Sequence, residues 1–374
     1  MSYFAKATKD KPEKLRVLVV GLGHMGVTHA KAYDRIDGYQ LAALCCRSIA
    51  KRDDIAKIWP EVPRFADYGE ALAKVKPDVV SINTWPDTHA DFAVRAFQAG
   101  AHVFLEKPIA ETVADAERVV AAAEANHRKL LVGLGPRHSP TWVRFMELAR
   151  GLGKPLVMRM NLNQRSIGPA WTWHKDLMKS LSPIVDCGVH YVDMMCHMTG
   201  AKPVRVHAIG ARLADEIAPE MYNYGQLQVV FDDGSVGWYE AAWGPQISEV
   251  AFFVKDVFGP KGGVHIVVED PGDMLAAGAT SAVSSDIHTH SKSGAIRMHH
   301  ARLLPDQSLA KSDEEFQIAD QPDHDEMSVR KQRFLLDAIQ GKHDLADHMR
   351  DAVNSLRIVL AADESIRTGR AIEM

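Results

Sequence analysis

The sequence predicts an α/β protein in two parts. Residues 15–135 form a doubly wound parallel sheet, and residues 136–374 an α+β half with an open, mostly antiparallel sheet. Three observations carry this. A β-branched-rich run, Arg16–Val20, leads straight into three spaced glycines and then helix-compatible sequence. Strand and helix patterns alternate as far as Leu134, which implies parallel strands covered on both faces. From Val204 onward, strand-like runs follow one another with short turns, which favours antiparallel pairing. A chain of 374 residues is also too long for one ordinary core.

The first strand and helix meet at Gly21-Leu-Gly23-His24-Met25-Gly26. Gly21 makes the tight turn, Gly23 admits a pyrophosphate to the backbone, and Gly26 lets the helix pack on the strand. The helix N-terminus offers unpaired N–H groups to phosphate, with His24 and Met25 beside them. This is a Rossmann dinucleotide fingerprint in its required setting. Gln40–Cys45 is the second strand. Ser48 then caps a helix running to Trp59, which Pro60 ends. Asp67–Lys74 fits a helix and Asp78–Asn83 a buried strand. Thr88–Gln98 is helical with Gly100 just past its end, and Ala101–Leu105 is the next strand. Val113–Asn126 is an amphipathic helix that leads to the strand Lys129–Leu134.

In the second half, Thr141–Leu152 reads as helix, Pro155–Gln164 as strand and Ser182–Thr199 as helix. Strands follow at Val204–Leu213, Gly225–Phe231, Ser235–Ala242, Val250–Phe258 and Gly263–Val268. Asp232-Asp233-Gly234 and the turn at 260–263 separate some of them. Pro271–Ser293 is a Gly/Ala/Ser-rich loop, and helices at Ser328–Gln340 and His348–Thr368 close the chain.

Composition excludes several classes. Apolar content of 46%, charged content of 25% and a net charge of -4 give no reason to expect nucleic acid or an anionic membrane as partner. No run long and apolar enough to span a bilayer appears. The charged residues 1–14 form an N-terminal extension without a signal-peptide core, and the four cysteines include no C-x-x-C pair. Together these lead to the expectation of a cytoplasmic protein with reduced thiols.

Ligands of a doubly wound fold lie at the carboxyl ends of its strands. Thr84-Trp85-Pro86 and Glu106-Lys107-Pro108 stand at such ends. Lys107 is where a nicotinamide ring would rest, and its ammonium can stabilise a developing alkoxide. The alternative for Lys107 is a solvated loop residue. Asp186 and His190 fall at i and i+4 of one helix, so a carboxylate and an imidazole share a face. An unperturbed histidine titrates near pH 6.5, as suits a general base. An ordinary polar stripe is the bland alternative. Metal is the sharper one, since Asp193 and His197 continue the face. Ligands spread over three turns of one helix argue against a mononuclear site, so no metal is expected. Asp286, His288, His290, His299 and His300 could bind metal, but their low-complexity loop context favours a solvated surface. Arg165 and Trp173, with Trp171, suit a sugar site or, for the tryptophans, core packing.

Cofactor choice turns on Cys46, where an aspartate would bind the ribose 2′-hydroxyl of NAD. Without the acid, Arg47 can neutralise a 2′-phosphate and Ser48 can donate to it. This favours NADP, with NAD as the alternative.

Taken together, the chain resembles the glucose–fructose oxidoreductase / inositol dehydrogenase / rhizopine catabolism (Gfo/Idh/MocA) family of NAD(P)-dependent oxidoreductases. The matching residues are the Gly21–Gly26 loop, Asn83–His89, Glu106–Pro108, Asp186–Asp193 and Glu364-Ser365 with Gly369. The resemblance implies hydride transfer with a sugar, cyclitol or related polyol, with Lys107, Asp186 and His190 at catalytic positions. It also implies that Thr84, Trp85, Pro86, His89 and Glu106 line the cofactor, and that the open sheet serves a homo-oligomer, dimer or tetramer. Two departures stand out. Ser180–Val185 replaces a glycine run common before the Asp186 position, and Cys46 replaces the common aspartate. Two rival readings remain: a glycosidase that recycles tightly bound NAD, and a non-catalytic dinucleotide sensor.

Overall fold

A computed structural model describes residues 14–247, 254–267 and 295–374. The first unit comprises β1 (Leu15–Val20), α1 (His24–Asp34), β2 (Tyr39–Cys45), α2 (Asp53–Ile58), β3 (Arg64–Phe65) and α3 (Tyr68–Val75). β4 (Val79–Ile82), α4 (His89–Gln98), β5 (His102–Leu105), α5 (Val113–Ala125) and β6 (Leu130–Val132) complete it. Among the described residues its sheet has six strands in the order β3-β2-β1-β4-β5-β6, all parallel. That order reverses at β1, and the crevice opens above the carboxyl ends of β1 and β4. Local signals place the helices. Asp67 accepts the Glu70 N–H to cap α3, and Thr112 accepts the Asp115 N–H to cap α5.

The second unit begins with α6 (Pro140–Arg150), β7 (Val157–Arg165), α7 (Gly168–Leu177) and α8 (Pro183–Thr199). β8 (Pro203–Ala211), β9 (Tyr224–Phe231), β10 (Val236–Gly244), β11 (Lys255–Gly259) and β12 (Gly262–Val267) follow. β13 (Ala295–His300), β14 (Glu314–Gln317), α9 (His324–Ile339), α10 (Ala346–Thr368) and β15 (Ile372–Glu373) end it. Its nine described strands run β14-β13-β12-β11-β7-β10-β9-β8-β15. All pair antiparallel except β7 with β10, which are parallel. Helices α8 and α10 lie on one face of this sheet. The other face carries the half-exposed Val157 and Val236.

Several expectations need correction. The helix expected from Ser48 to Trp59 is a 3-10 turn at Ile49–Lys51 and then α2, because Arg52 leaves helical dihedrals between them. β3, β13, β14 and β15 went unpredicted: two- to four-residue strands carry no periodicity, and His299 and His300, read as a solvated loop, end β13 beside Asp313 and Glu314. Helix α7, with proline in its first turn, was also missed. The simple succession of hairpins gives way to a sheet in which β7 is central, between β10 and β11. The loop at 271–293, the cluster at Asp286, His288 and His290, and residues 1–13 lie outside the described residues, as does the start of the strand expected at Val250.

One feature of the packing positions the site. The β1/β5 face of the first sheet is covered by α1 and also by α9, from the far end of the chain. Val17, Val19, Tyr33 and Phe104 share that core with Val329, Leu335 and Ala338. Tyr33 and Phe104 are fully buried, each stabilising the fold by on the order of 2 kcal/mol. No described helix is long and apolar enough to cross a membrane.

Candidate active site

The fingerprint loop is shaped for a pyrophosphate. Gly21 has φ of 82°, and a Cβ there would lie 2.5 Å from the Asn83 carbonyl oxygen. A Cβ at Gly26 would lie 1.7 Å from the Gly21 carbonyl oxygen, so helix and strand meet as closely as backbones can. At Gly23 a Cβ would meet nothing within 4 Å, because that side faces an open crevice of about 530 Å³. Gly23 is also the N-cap of α1 and brings no side chain to its first N–H groups, and the first turn holds no acid. The residues present therefore fit a dinucleotide phosphate. His24 is exposed on the crevice wall, and Met25 is half-buried beside it.

At the end of β2, Arg47 and Ser48 are exposed and Cys46 is half-buried. Sequence reasoning missed Arg52, which donates to the Leu22 carbonyl and pairs with Asp54 at 2.7 Å. It lines the crevice opposite Asp323 and His324 of the C-terminal half.

At the end of β4, Trp85 is 52% exposed, and the Thr88 hydroxyl donates to the Thr84 Oγ1 at 2.7 Å. Pro86 starts the 3-10 turn that leads into α4. His89 corrects an expectation. It is fully buried, its Nδ1 is 2.8 Å from the Pro108 carbonyl oxygen and its Nε2 is 3.1 Å from that of Thr84. It ties two strand-end loops together instead of facing a ligand.

The cluster expected to carry chemistry is assembled from both units. Lys107 follows β5 and is joined to Pro108 by a cis peptide bond. Its ammonium donates to Asp186 Oδ1 at 2.7 Å and to the Asp186 carbonyl oxygen at 3.1 Å. Asp186 lies in the first turn of α8, where the helix dipole favours a carboxylate. Ser182 fixes that turn by accepting the Val185 N–H, while its own hydroxyl donates to Asp363. His190 stands one turn further on, with its Nδ1 enclosed and without a hydrogen-bond partner among the described residues.

The charges are well defined. Burial would lower the Lys107 pKa, but Asp186 outweighs it and raises it above its ordinary value. Burial would likewise raise Asp186, but Lys107 holds it below the usual range. Burial drives His190 down to about 3, assisted by Lys107 and opposed by Asp186. The unperturbed histidine expected from sequence is thus corrected: His190 is a neutral imidazole in an enclosed setting. Nor do Asp186 and His190 share a hydrogen bond among the described residues. The other members of that helix face also go elsewhere. Asp193 accepts from Arg137 at 2.7 and 2.8 Å, and His197 lies 3.6 Å from Asp351.

Beside α8, Gln164 Oε1 accepts from Trp243 at 2.8 Å and from the Cys187 thiol at 3.6 Å. Arg165 follows at the end of β7, opposite Gly244 of β10. Trp173, on α7, is 54% exposed, whereas Trp171 is buried and donates to Glu216. Glu106 is buried, with its carboxylate 2.9 Å from His29 and 3.9 Å from Lys331. No sequence signal joined these residues, which come from α1, β5 and α9.

Comparison with known proteins agrees with the two-unit fold. Residues 15–134 match the model of an oxidoreductase family with an NAD-binding Rossmann fold, and residues 148–265 match the GFO/IDH/MocA C-terminal domain. The D-glucoside 3-dehydrogenase of Escherichia coli is 25% identical over 70% of this chain and 81% of its own length. An inositol 2-dehydrogenase of Salmonella typhimurium is 28% identical over 48% of this chain and 53% of its own, so the match spans about half of that relative. An NAD binding oxidoreductase from Klebsiella pneumoniae superposes with a TM-score of 0.76 at 20% identity, covering 96% of this chain and 98% of that one. At that identity the likeness speaks for the fold.

Proposed function

This chain belongs to the GFO/IDH/MocA oxidoreductase family, and from that membership we propose that it moves hydride between a nicotinamide dinucleotide and a carbinol or ketone carbon of a sugar, cyclitol or related polyol. The observation that carries this reading is the Lys107–Asp186 pair at 2.7 Å, which joins the loop after β5 of the dinucleotide unit to the first turn of α8. The names of the glucoside and inositol relatives support the substrate class.

The nicotinamide, when bound, supplies the hydride acceptor or donor. The loop at Gly23, with the tight turn at Gly21 and the close packing at Gly26, would hold its pyrophosphate beside His24, and Thr84, Trp85 and Pro86 at the end of β4 would line the bound dinucleotide. Lys107 uses two of its three N–H groups on Asp186. The third is available to the substrate oxygen, where charge builds as the C–O bond changes order. His190, neutral through the working range, accepts the carbinol proton. Asp186, four residues earlier, offsets the resulting imidazolium and holds the ammonium in place. Arg165 and Trp173 flank the substrate.

For the cofactor, Cys46 and not a carboxylate directly follows β2, and Arg47 and Ser48 are exposed there. We infer a preference for NADP over NAD. Nicotinamide absorbance with each dinucleotide, in both directions, against sugars, cyclitols and their keto forms tests both readings. Turnover with NADP about tenfold better is expected for one well-placed charged contact. A preference for NAD overturns the cofactor reading alone. Nucleotide that stays bound and is recycled during glycoside cleavage overturns the dehydrogenase.

We also infer a homo-oligomer, dimer or tetramer, formed through the outer sheet face around Val157, Val236 and the half-buried Trp238. Light scattering that returns the 41.3 kDa of one chain would overturn it. Four free cysteines fit a cytoplasmic location, which fractionation checks.

A further inference from the structure

The Glu106 carboxylate heads a buried hydrogen-bond chain that crosses almost the whole sequence. The Tyr33 hydroxyl lies 2.7 Å from Gln332 Oε1, the Gln332 amide nitrogen 3.0 Å from His29 Nδ1, and His29 Nε2 2.9 Å from Glu106 Oε1. The other carboxylate oxygen accepts the backbone N–H of Lys107 at 3.1 Å. Gly133, at the end of β6, leaves the carboxylate room, since a Cβ there would come within 3.0 Å of Oε1.

Such a chain admits two proton orders, the second holding one proton more, taken up from solvent. In one, the Tyr33 hydroxyl donates to Gln332, the Gln332 amide donates to His29 Nδ1, and His29 Nε2–H donates to an ionised Glu106. In the other, the amide of Gln332 is turned over, His29 carries its proton on Nδ1, and a protonated Glu106 donates to Nε2. Hydrogen bonds alone do not choose between them. A charge does.

That charge is Lys331. It is 5% exposed, its ammonium lies 3.9 Å from Glu106 Oε1, and it sits over the Phe104 ring at 5.8 Å. An ammonium this deep is costly unless a carboxylate offsets it. The groups that face Glu106 are His29 from α1, Lys331 from α9 and Lys107 from its own loop. His190, His89 and His324 feel its charge from further away. Burial would raise the Glu106 pKa, but Lys331 and the His29 hydrogen bond bring it below the ordinary carboxylate range. His29 itself is held neutral, at about 4, chiefly by burial.

We propose that Lys331 is a positioning residue for the reaction: it selects the proton order of the Tyr33–Gln332–His29–Glu106 chain and thereby pins the Lys107 backbone on which the catalytic ammonium depends. This rests on the oxidoreductase reading for its consequence, but not for its structural core. Lys331 reaches this place because α9 covers the first sheet, so the C-terminal end of the chain sets the charge beside the catalytic loop.

The first test needs no substrate. Infrared spectra of the apoprotein with ¹³C-labelled glutamate are compared for wild type, Lys331→Met, Lys331→Arg and Lys331→Met/Glu106→Gln at about pH 7 to 7.5, where ordinary glutamates are ionised. A protonated-carboxyl band is expected in Lys331→Met only, absent from the other three. Its absence from Lys331→Met overturns the proposal. If Lys331→Met does not fold, Lys331→Gln replaces it, with the same band expected.

The second test measures turnover. Lys331→Met should lower kcat by about 10- to 100-fold, as a displacement near 1 Å does, with dinucleotide Kd and substrate KM changed less than about twofold. Lys331→Arg should restore most of it, and adding Glu106→Gln to Lys331→Met should cost little more. Unchanged kcat, or losses that multiply, would overturn the role. If no polyol is turned over by wild type, the proposed function fails while the infrared result still decides the proton order.

Discussion

Lys107 shows how much a single side chain can carry once its surroundings are known. Its type and place after β5 were legible in sequence. The 2.7 Å bond to Asp186, across 79 residues, was not. That bond makes the charge state definite, because each partner reverses the effect of burial on the other. Lys107→Met removes the donor while leaving the glycine loop untouched. Dinucleotide affinity should stay within about twofold by titration, and turnover should fall by roughly 10³-fold, the size expected for one oxyanion-type donor. Unchanged turnover would take Lys107 out of the mechanism. His190 teaches the opposite lesson. Its pattern suggested an ordinary base, yet burial beside an ammonium pushes it down to about 3, and only packing could reveal that.

At the scale of the element, the β1–α1 junction separates two uses of glycine that the motif alone cannot distinguish. Gly26 serves packing, for a methyl group there would overlap the Gly21 carbonyl. Gly23 serves binding, with open crevice where its Cβ would be and φ of -71°, which alanine adopts readily. Gly26→Ala should therefore lower stability by about 1–3 kcal/mol or more in urea titrations, along with binding. Gly23→Ala should melt within a degree or two of wild type yet bind dinucleotide at least about tenfold more weakly. Equal melting loss in both variants would refute this division of labour. Helix α8 was likewise readable from end to end, since Ser182 caps it and Gly200, with φ of 62°, stops it.

Across the whole molecule, buried neutral histidines tie stability to pH. Burial is the first cause of depression in His29, to about 4, in His138 and His190, to about 3, and in His348, well below its ordinary value. A depressed group contributes its stability in full above the unfolded value near 6.5 and loses it as pH falls toward the folded value. Below pH 6.5 the unfolded chain takes up protons that the folded chain refuses. The cost is about 1.4 kcal/mol per pH unit for each such histidine. The urea midpoint should hold steady from pH 8 to 7 and fall markedly between 6 and 5. A midpoint unchanged at pH 5 would show that these imidazoles are not held neutral.

The sequence by itself determined the parts whose signals are local. The glycine loop, the strand–helix alternation, the caps of α8 and the chemical types at Lys107, Asp186 and His190 all depend on a few neighbouring residues, through periodicity, backbone freedom and capping. Tertiary structure decided the rest. It made β7 the centre of the second sheet, turned His89 inward as a tie between loops, and gave Asp186 to Lys107 instead of His190. It also carried α9 back over the first sheet, so that Lys331 and Gln332 meet His29 and Glu106 across some 300 residues. The physical reason is that such partners are chosen by which buried faces fit and which buried charges must be offset, and neither leaves a periodic trace along the chain.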